Sequence, residues 1–248
     1  MKFAVLAAGE GSRLANEGSF PPKPLTKING EAMIDRLLRI FSRNGAEEIV
    51  VIVNKLTSLV RQHLIANYNT ILEDGSPSPC RKKPLADTPV RIVSKTTKSS
   101  MHSFFEISGF LKGGKFCLTT VDTIFREKDF SEYIKAFKES GDDGLMAVTP
   151  FVDDEKPLYV ATDENLNITG FDDESKNDKY VSGGIYSLTP KALKTLETCM
   201  EKGISRMRNF QRQMVADGLK LKAYPFDKII DVDHVGDVDK AEQFINGK

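Results

Sequence analysis

At 248 residues the chain is long enough to bury a sizeable core, and its 40% hydrophobic and 28% charged content is that of an ordinary globular protein. Lys+Arg and Asp+Glu both number 35, so no basic excess points to nucleic acid, and no apolar run approaches the roughly 18–20 residues of a membrane span. Cys80, Cys117 and Cys199 are odd in number and form no CxxC, and only three histidines accompany them, which argues against a disulfide framework or structural zinc and for a reducing, cytoplasmic setting without a secretion signal.

The opening stretch, residues 2–25, is KFAVLAAGEGSRLANEGSFPPKPL. It reads as a buried strand, a glycine-bearing loop carrying Arg13, then Lys23 framed by Pro22 and Pro24. An apolar run of strand length that ends in glycines is the usual entrance to a phosphate site in an α/β protein. Residues 30–44 place Met33, Ile34, Leu37, Leu38 and Phe41 at helical spacing, with Gly45 as a stop. Residues 48–54, EIVVIVN, form a continuous apolar run, as expected of a parallel strand covered on both faces. A second helix is expected over 55–68. This strand-helix rhythm predicts a mostly parallel α/β sheet.

Residues 74–89, with four prolines and basic residues in the middle, interrupt the rhythm and read as a surface loop, with a lid or a subunit contact as the sharper alternative. A strand over 90–94 and a helix over 99–111, capped by Ser99 or Ser100, follow. The strand at 115–121, KFCLTTV, ends at Asp122, on the sheet edge where α/β proteins bind ligands. A helix is expected over 129–140 and a strand over 145–150. Segments 158–162 and 167–171 flank a polar turn and predict a hairpin. The strand at 180–188, YVSGGIYSL, holds a double glycine, a mark of a bulge or a close approach. Helices after Pro190 and over 205–217, short strands over 219–224 and 229–232, and a closing helix over 235–245 complete the chain. The pattern predicts one continuous sheet with a cleft across its C-terminal edge.

Two phosphate motifs fail on the opening loop. A dinucleotide fingerprint needs Gly or Ala where Leu14 stands and an acidic residue where the second strand ends in Asn54. A P-loop needs a Gly-Lys-Ser/Thr closure, which is missing. A third reading takes the stretch as a whole. Small residues Ala7, Ala8, Gly9 and Gly11 let backbone amides approach a polyphosphate. Arg13 offers a planar charged fork for phosphate oxygens, and Lys23 a point charge stiffened by its proline neighbours.

LAAGEGSRL, eight residues, then PPKPLTKINGEAMID together resemble the signature of the sugar-phosphate nucleotidyltransferases, the NDP-sugar pyrophosphorylases. The ordered Gly, Gly, Arg, Lys set with Pro-Lys-Pro-Leu is far more specific than a lone glycine motif. One departure is the polar spacer at 15–20, where the family often has a proline. The resemblance implies a Rossmann-like three-layer α/β/α fold with a mixed, mostly parallel central sheet, the GT-A-like nucleotidyltransferase fold. It implies a single domain over 1–248, with a nucleotide-binding half at 1–125, an acceptor-binding half at 126–248 and no C-terminal β-helix domain.

It also implies roles. Arg13 and Lys23 are the catalytic cations. Leu6, Ala7, Ala8, Gly9, Gly11 and Ser12 contact the nucleotide, as do Thr97 and Ser100 within the base-recognising segment 95–103. Asp122 and Asp231 bind Mg²⁺, with Asp233 as an alternative on the same strand face. Lys176, Gly183, Gly184 and Tyr186 contact the acceptor. The implied reaction transfers a nucleoside monophosphate from an NTP to a sugar 1-phosphate and releases pyrophosphate. Other acceptors (phosphocholine, an inositol phosphate, the molybdenum cofactor) and a non-catalytic nucleotide-sugar-binding relative stay open, as does homo-oligomer formation. No nucleic-acid or membrane partner is expected.

Overall fold

Alternation along the apolar strands builds two cores from one sheet. In β1 (Lys2–Ala7), Phe3, Val5 and Ala7 face one core while Ala4 and Leu6 face the other. In β4 (Ile49–Val53), Ile49, Val51 and Val53 go with the first and Val50 and Ile52 with the second. A strand buried on both faces needs no polar side, which explains the unbroken apolar runs.

These features come from a computed structural model that describes residues 1–9, 14, 16–18, 21–55, 58–80, 84, 86–153 and 156–247. Among the described residues, helices α1 (Met33–Arg43), α2 (Ser58–Asn67) and α4 (Glu127–Glu139) cover the first face. Helices α3 (Ser100–Ser108), α5 (Lys191–Glu201) and α6 (Met207–Ala216) cover the second. The result is the expected three-layer α/β/α arrangement, and among the described residues no helix is long and apolar enough to cross a membrane.

The sheet has 11 described strands. Its parallel centre is β8 (Phe116–Thr120), β1, β4 and β7 (Val90–Ser94). Beyond β7 the short β5 (Thr70–Ile71) and β6 (Pro77–Ser78) form an edge hairpin. The interrupted stretch at 74–89 is thus partly strand, and residues 81–83 and 85 lie outside the described residues. On the other side β13 (Tyr180–Leu188) runs antiparallel to β8. It also pairs with β10 (Gly144–Thr149) and with β11 (Tyr159–Thr162), which forms the expected hairpin with β12 (Ile168–Asp172). Strand β14 (Leu221–Pro225) adds to β10 in parallel. Ser99 precedes α3 as expected of a cap, but its hydroxyl faces His102 Nδ1 at 2.8 Å instead of a helix amide.

Tyr133 on α4 stitches the irregular β10–β13 pair. Its hydroxyl donates to the Leu145 carbonyl at 2.6 Å and accepts the Ser187 amide at 2.8 Å, all three buried. Tyr133→Phe strands that amide and is expected to cost about 1–3 kcal/mol in denaturant unfolding. A variant as stable as the wild type would show that the strand pair closes without the hydroxyl.

Two short ribbons sit off the sheet. One joins β2 (Lys27–Ile28) to β3 (Glu31–Ala32). The other joins β9 (Thr123–Ile124) to β15 (Ile230–Asp231), so the expected strand at 229–232 leaves the main sheet. With the closing helix α7 (Val235–Ile245) these ribbons enclose a small third core of Leu14, Ile28, Met33, Ile124, Ile230, Val232, Ala241 and Phe244. That core carries the chain from the end of α6 and β14 back to Asp122.

Candidate active site

Pro22 enters a single tight helical turn, Lys23–Leu25, in which Pro24 is buried. The Leu25 amide donates to the Pro22 carbonyl at 2.7 Å, and the Thr26 amide to Lys23 at 3.1 Å. With two prolines fixing φ, the turn has little freedom to rotate Lys23 away. The Lys23 side chain is 12% exposed, and its ammonium lies 2.5 Å from Asp122 Oδ2 and 2.7 Å from Asp233 Oδ1. Burial alone would lower its pKa. The Asp122 charge and hydrogen bonds to both carboxylates outweigh that, so the pKa is raised and the group stays charged.

Ribbon pairing brings the two carboxylates together. Asp231 pairs with Thr123, and the Val232 amide donates to the Asp122 carbonyl at 3.1 Å. Asp233 follows directly and meets Lys23. Asp231 lies on the same segment and lines a neighbouring cavity. Asp233, the expected alternative, meets the same ammonium as Asp122, while Asp231 and Asp122 both act on the buried Tyr186 phenol.

Lys23 and Asp122 belong to a cleft of about 550 Å³ at the C-terminal ends of β1, β4, β7 and β8, a size suited to a small molecule. Leu6, Ala7, Ala8, Gly9, Thr97 and Ser100 line it, together with Asn54, Thr96, Lys98, Ser99, Ser103 and Thr120. Gly11, Ser12 and Arg13 lie outside the described residues. The sequence reading used Asn54 only to exclude a motif, yet it ties two walls together. It donates to the Ala8 carbonyl at 3.1 Å and accepts from Thr96 Oγ1 at 3.0 Å. The signal was available: a polar residue ending an otherwise apolar strand.

Asp233 opens onto a second cavity of about 160 Å³ lined by Thr149, Phe151, Asp153, Ser182, Gly183, Asp231, His234, Asp237 and Lys240. The Lys23–Asp122–Asp233 cluster is therefore the wall shared by the two spaces. His234, Asp237 and Lys240 were not anticipated. Lys240 bonds Asp153 at 2.9 Å and Asp237 at 3.1 Å. Burial would raise the Asp237 carboxyl, but the His234 amide, Lys240 and the Asp233 amide hold it below its usual range.

Three expected acceptor residues do not reach this cavity. Tyr186 is buried in the second core; burial, and then the charge of Asp231, push its phenol upward, so it lies beneath the site as a neutral side chain. Gly184, at φ +72°, packs against Thr123. Lys176 is exposed and pairs with Asp172 at 3.0 Å. Gly183 does line the cavity, and packing requires it to be glycine. A Cβ there would stand 2.3 Å from Ile229 Cδ1 and 3.2 Å from the Ala147 carbonyl. Gly183→Ala is expected to cost about 1–3 kcal/mol in thermal or denaturant melts, and adding Ile229→Ala should recover part of it. A double mutant no better than the single would place the strain on Ala147 instead.

The two converging carboxylates supply hard oxygen donors, and among the described residues no set of three acidic, histidine or cysteine side chains stands ready to cage a metal. That donor set suits Mg²⁺, which is commonly held by one or two carboxylates plus substrate phosphates.

Comparison with known proteins bears on the fold and the family. Residues 3–166 match the MobA-like NTP transferase domain. The chain is 39% identical over 62 residues to the CMP-5'-(3-aminopropyl)phosphonate synthase of Streptomyces rubellomurinus, covering 25% of this chain and 10% of that protein. It is 19% identical over 196 residues to a probable glucose-1-phosphate cytidylyltransferase of Bacillus subtilis, covering 77% of this chain and 76% of that one. Its fold matches the inositol-1-phosphate CTP transferase from T. maritima with a TM-score of 0.77 at 20% identity, over 99% of this chain and 96% of that one. The matched domain spans the strand end, Lys23 and Asp122, and the chain belongs to the MobA-like NTP transferase domain family and so to the nucleotidyltransferases.

Proposed function

We propose that this protein transfers a nucleoside monophosphate from an NTP to a sugar 1-phosphate, forming an NDP-sugar and pyrophosphate. The observation that carries this reading is the Lys23 ammonium spanning Asp122 and Asp233 where the two cavities meet. The larger cleft takes the NTP. Its strand end offers only small residues, Ala7, Ala8 and Gly9, leaving room for a polyphosphate, while Thr96, Thr97, Ser99 and Ser100 face the nucleoside end. The smaller cavity takes the acceptor. Its Thr149, Ser182 and carboxylates suit a polyol, and Lys240 offsets part of their charge.

The acceptor phosphate attacks the α-phosphorus in line, and pyrophosphate departs. Lys23, held charged on a stiff turn, faces the phosphates as negative charge moves to the leaving group. Asp122 and Asp233 would hold Mg²⁺, which when bound supplies positive charge to the phosphate oxygens. Arg13 keeps its phosphate role as a sequence-based assignment.

A phosphocholine acceptor is less well supported. A quaternary ammonium is held by open aromatic faces. Tyr180 and Tyr186 are buried in the core, Asp173 is taken by Arg208 and Arg212, and Phe151 in the cavity already has the Lys228 ammonium 4.1 Å from its ring centroid. The test is pyrophosphate release from each of four NTPs with Mg²⁺ against sugar 1-phosphates, inositol 1-phosphate and phosphocholine. Release with a sugar 1-phosphate is expected. Release with phosphocholine alone would overturn the acceptor assignment, and nucleotide-sugar binding without any release would overturn catalysis.

A further inference from the structure

A polar spacer separates Arg13 from Lys23 in the sequence. One of its residues reaches across the chain. Glu17 Oε1 lies 2.5 Å from His234 Nδ1, and Glu17 Oε2 accepts the Val235 amide at 2.8 Å. Beside it, Asp237 accepts the Asp233 amide at 3.2 Å and the His234 amide at 2.9 Å. Two carboxylates thus take three successive amides at the start of α7, where the unpaired helix amides and the dipole favour negative charge.

These contacts close a ring. Glu17 and Lys23 lie at opposite ends of a short stretch of chain. Lys23 holds the Asp233 carboxylate at 2.7 Å, and Glu17 holds the next two residues. Leu14, three residues before Glu17, lies in the same third core as Val232. Asp233 and His234 both line the second cavity. A displacement of Glu17 is therefore expected to move groups on the acceptor side.

We propose that Glu17 is a positioning residue for the transfer: its carboxylate clamps the spacer to the start of α7 and so sets where Asp233 and His234 stand at the acceptor cavity. The inference rests on the assignment of the two cavities to donor and acceptor. The Glu17 carboxyl is held below its usual range by the His234 ring and then the Val235 amide, so it is ionised at neutral pH. Both partners are substantially exposed, with side chains 40% and 41% accessible. Exposed contacts add little to global stability. Geometry is another matter, because a misplacement of about 1 Å near a reacting centre can cost on the order of 10²-fold. The clamp is thus expected to matter for rate more than for melting.

The test compares Glu17→Ala and Glu17→Gln with the wild type in pyrophosphate release, melting and amide hydrogen exchange. Glu17→Ala should lower kcat by about tenfold or more and raise the acceptor KM several-fold, with the NTP KM within about twofold. Its Tm should stay within about 2 °C of the wild type. Glu17→Gln can still accept the Val235 amide and should fall between the two. Exchange at the Val235 amide should be faster in Glu17→Ala. Wild-type kcat in Glu17→Ala, a loss confined to the NTP KM, or a loss matched by a large fall in Tm would overturn the proposal. If the wild type turns over none of the acceptors, the functional reading fails by itself. Val235 exchange then still decides the clamp: faster exchange supports it and unchanged exchange overturns it.

Discussion

Replacing Lys23 with alanine is expected to lower kcat on the order of 10²-fold or more, the scale seen when one positioned donor is taken from a developing anion. Two losses combine. The phosphates lose a fixed positive charge, and Asp122 and Asp233 lose the cation that lies 2.5 and 2.7 Å from their oxygens. Like charges left side by side repel, so the carboxylates should spread and the wall between the cavities should loosen. The contact strengthens as charge moves to pyrophosphate, so kcat should suffer more than NTP affinity. Steady-state pyrophosphate release gives the first quantity and calorimetric titration with NTP the second. Lys23→Arg is not expected to restore the rate. A planar guanidinium cannot place one compact charge between two carboxylates on a turn stiffened by Pro22 and Pro24. A kcat for Lys23→Ala within about threefold of the wild type would remove Lys23 from the chemistry.

The elements that build this wall differed in how readily the sequence showed them. β4, β7, β13 and α7 were readable because apolar runs and helical periodicity span several residues. Asp122 was readable because it ends an apolar strand on the binding edge. The strand at 229–232 was readable too, but its pairing with β9 and the β2–β3 ribbon were not, since a pair of residues carries no period. Because β9–β15 is such a ribbon, the choice between Asp231 and Asp233 stayed open: strand alternation puts both on one face. The pairing of Asp231 with Thr123, and the turn into α7 after it, bring Asp233 to Lys23.

Other expected residues do not line the second cavity, for identifiable reasons. Tyr186 stands three residues beyond Gly183, and in a strand odd spacing sends side chains to opposite faces. Lys176 has an acidic neighbour four residues back, and a local ion pair costs less ordering than a long reach to a ligand. Glu17 and His234 are 217 residues apart, a separation that no local pattern encodes.

The largest difference between neighbouring residues is expected at the two C-terminal aspartates. Asp233→Asn should lower kcat on the order of 10²-fold or more, while Asp231→Asn should lower it by less than about tenfold. The reasoning is geometric. Asp233 shares the Lys23 ammonium with Asp122, so its carboxylate stands at the shared wall. An amide in its place keeps the volume but loses the charge, leaving Asp122 as the one anionic oxygen donor of the pair. The amide of residue 233 still donates to Asp237, and the Val232 amide still reaches the Asp122 carbonyl, so the fold should hold. Melting temperatures within about 2 °C of the wild type would confirm that the comparison is a fair one. Magnesium dependence gives the sharper reading. At saturating NTP the half-saturating Mg²⁺ concentration should rise several-fold or more in Asp233→Asn and stay within about twofold in Asp231→Asn. Asp231 lines the second cavity, the one proposed for the acceptor, so its amide variant should show its loss in the acceptor KM. The reverse ranking, with Asp231→Asn losing both rate and magnesium response, would return the metal to Asp231 and leave Asp233 as a partner of Lys23.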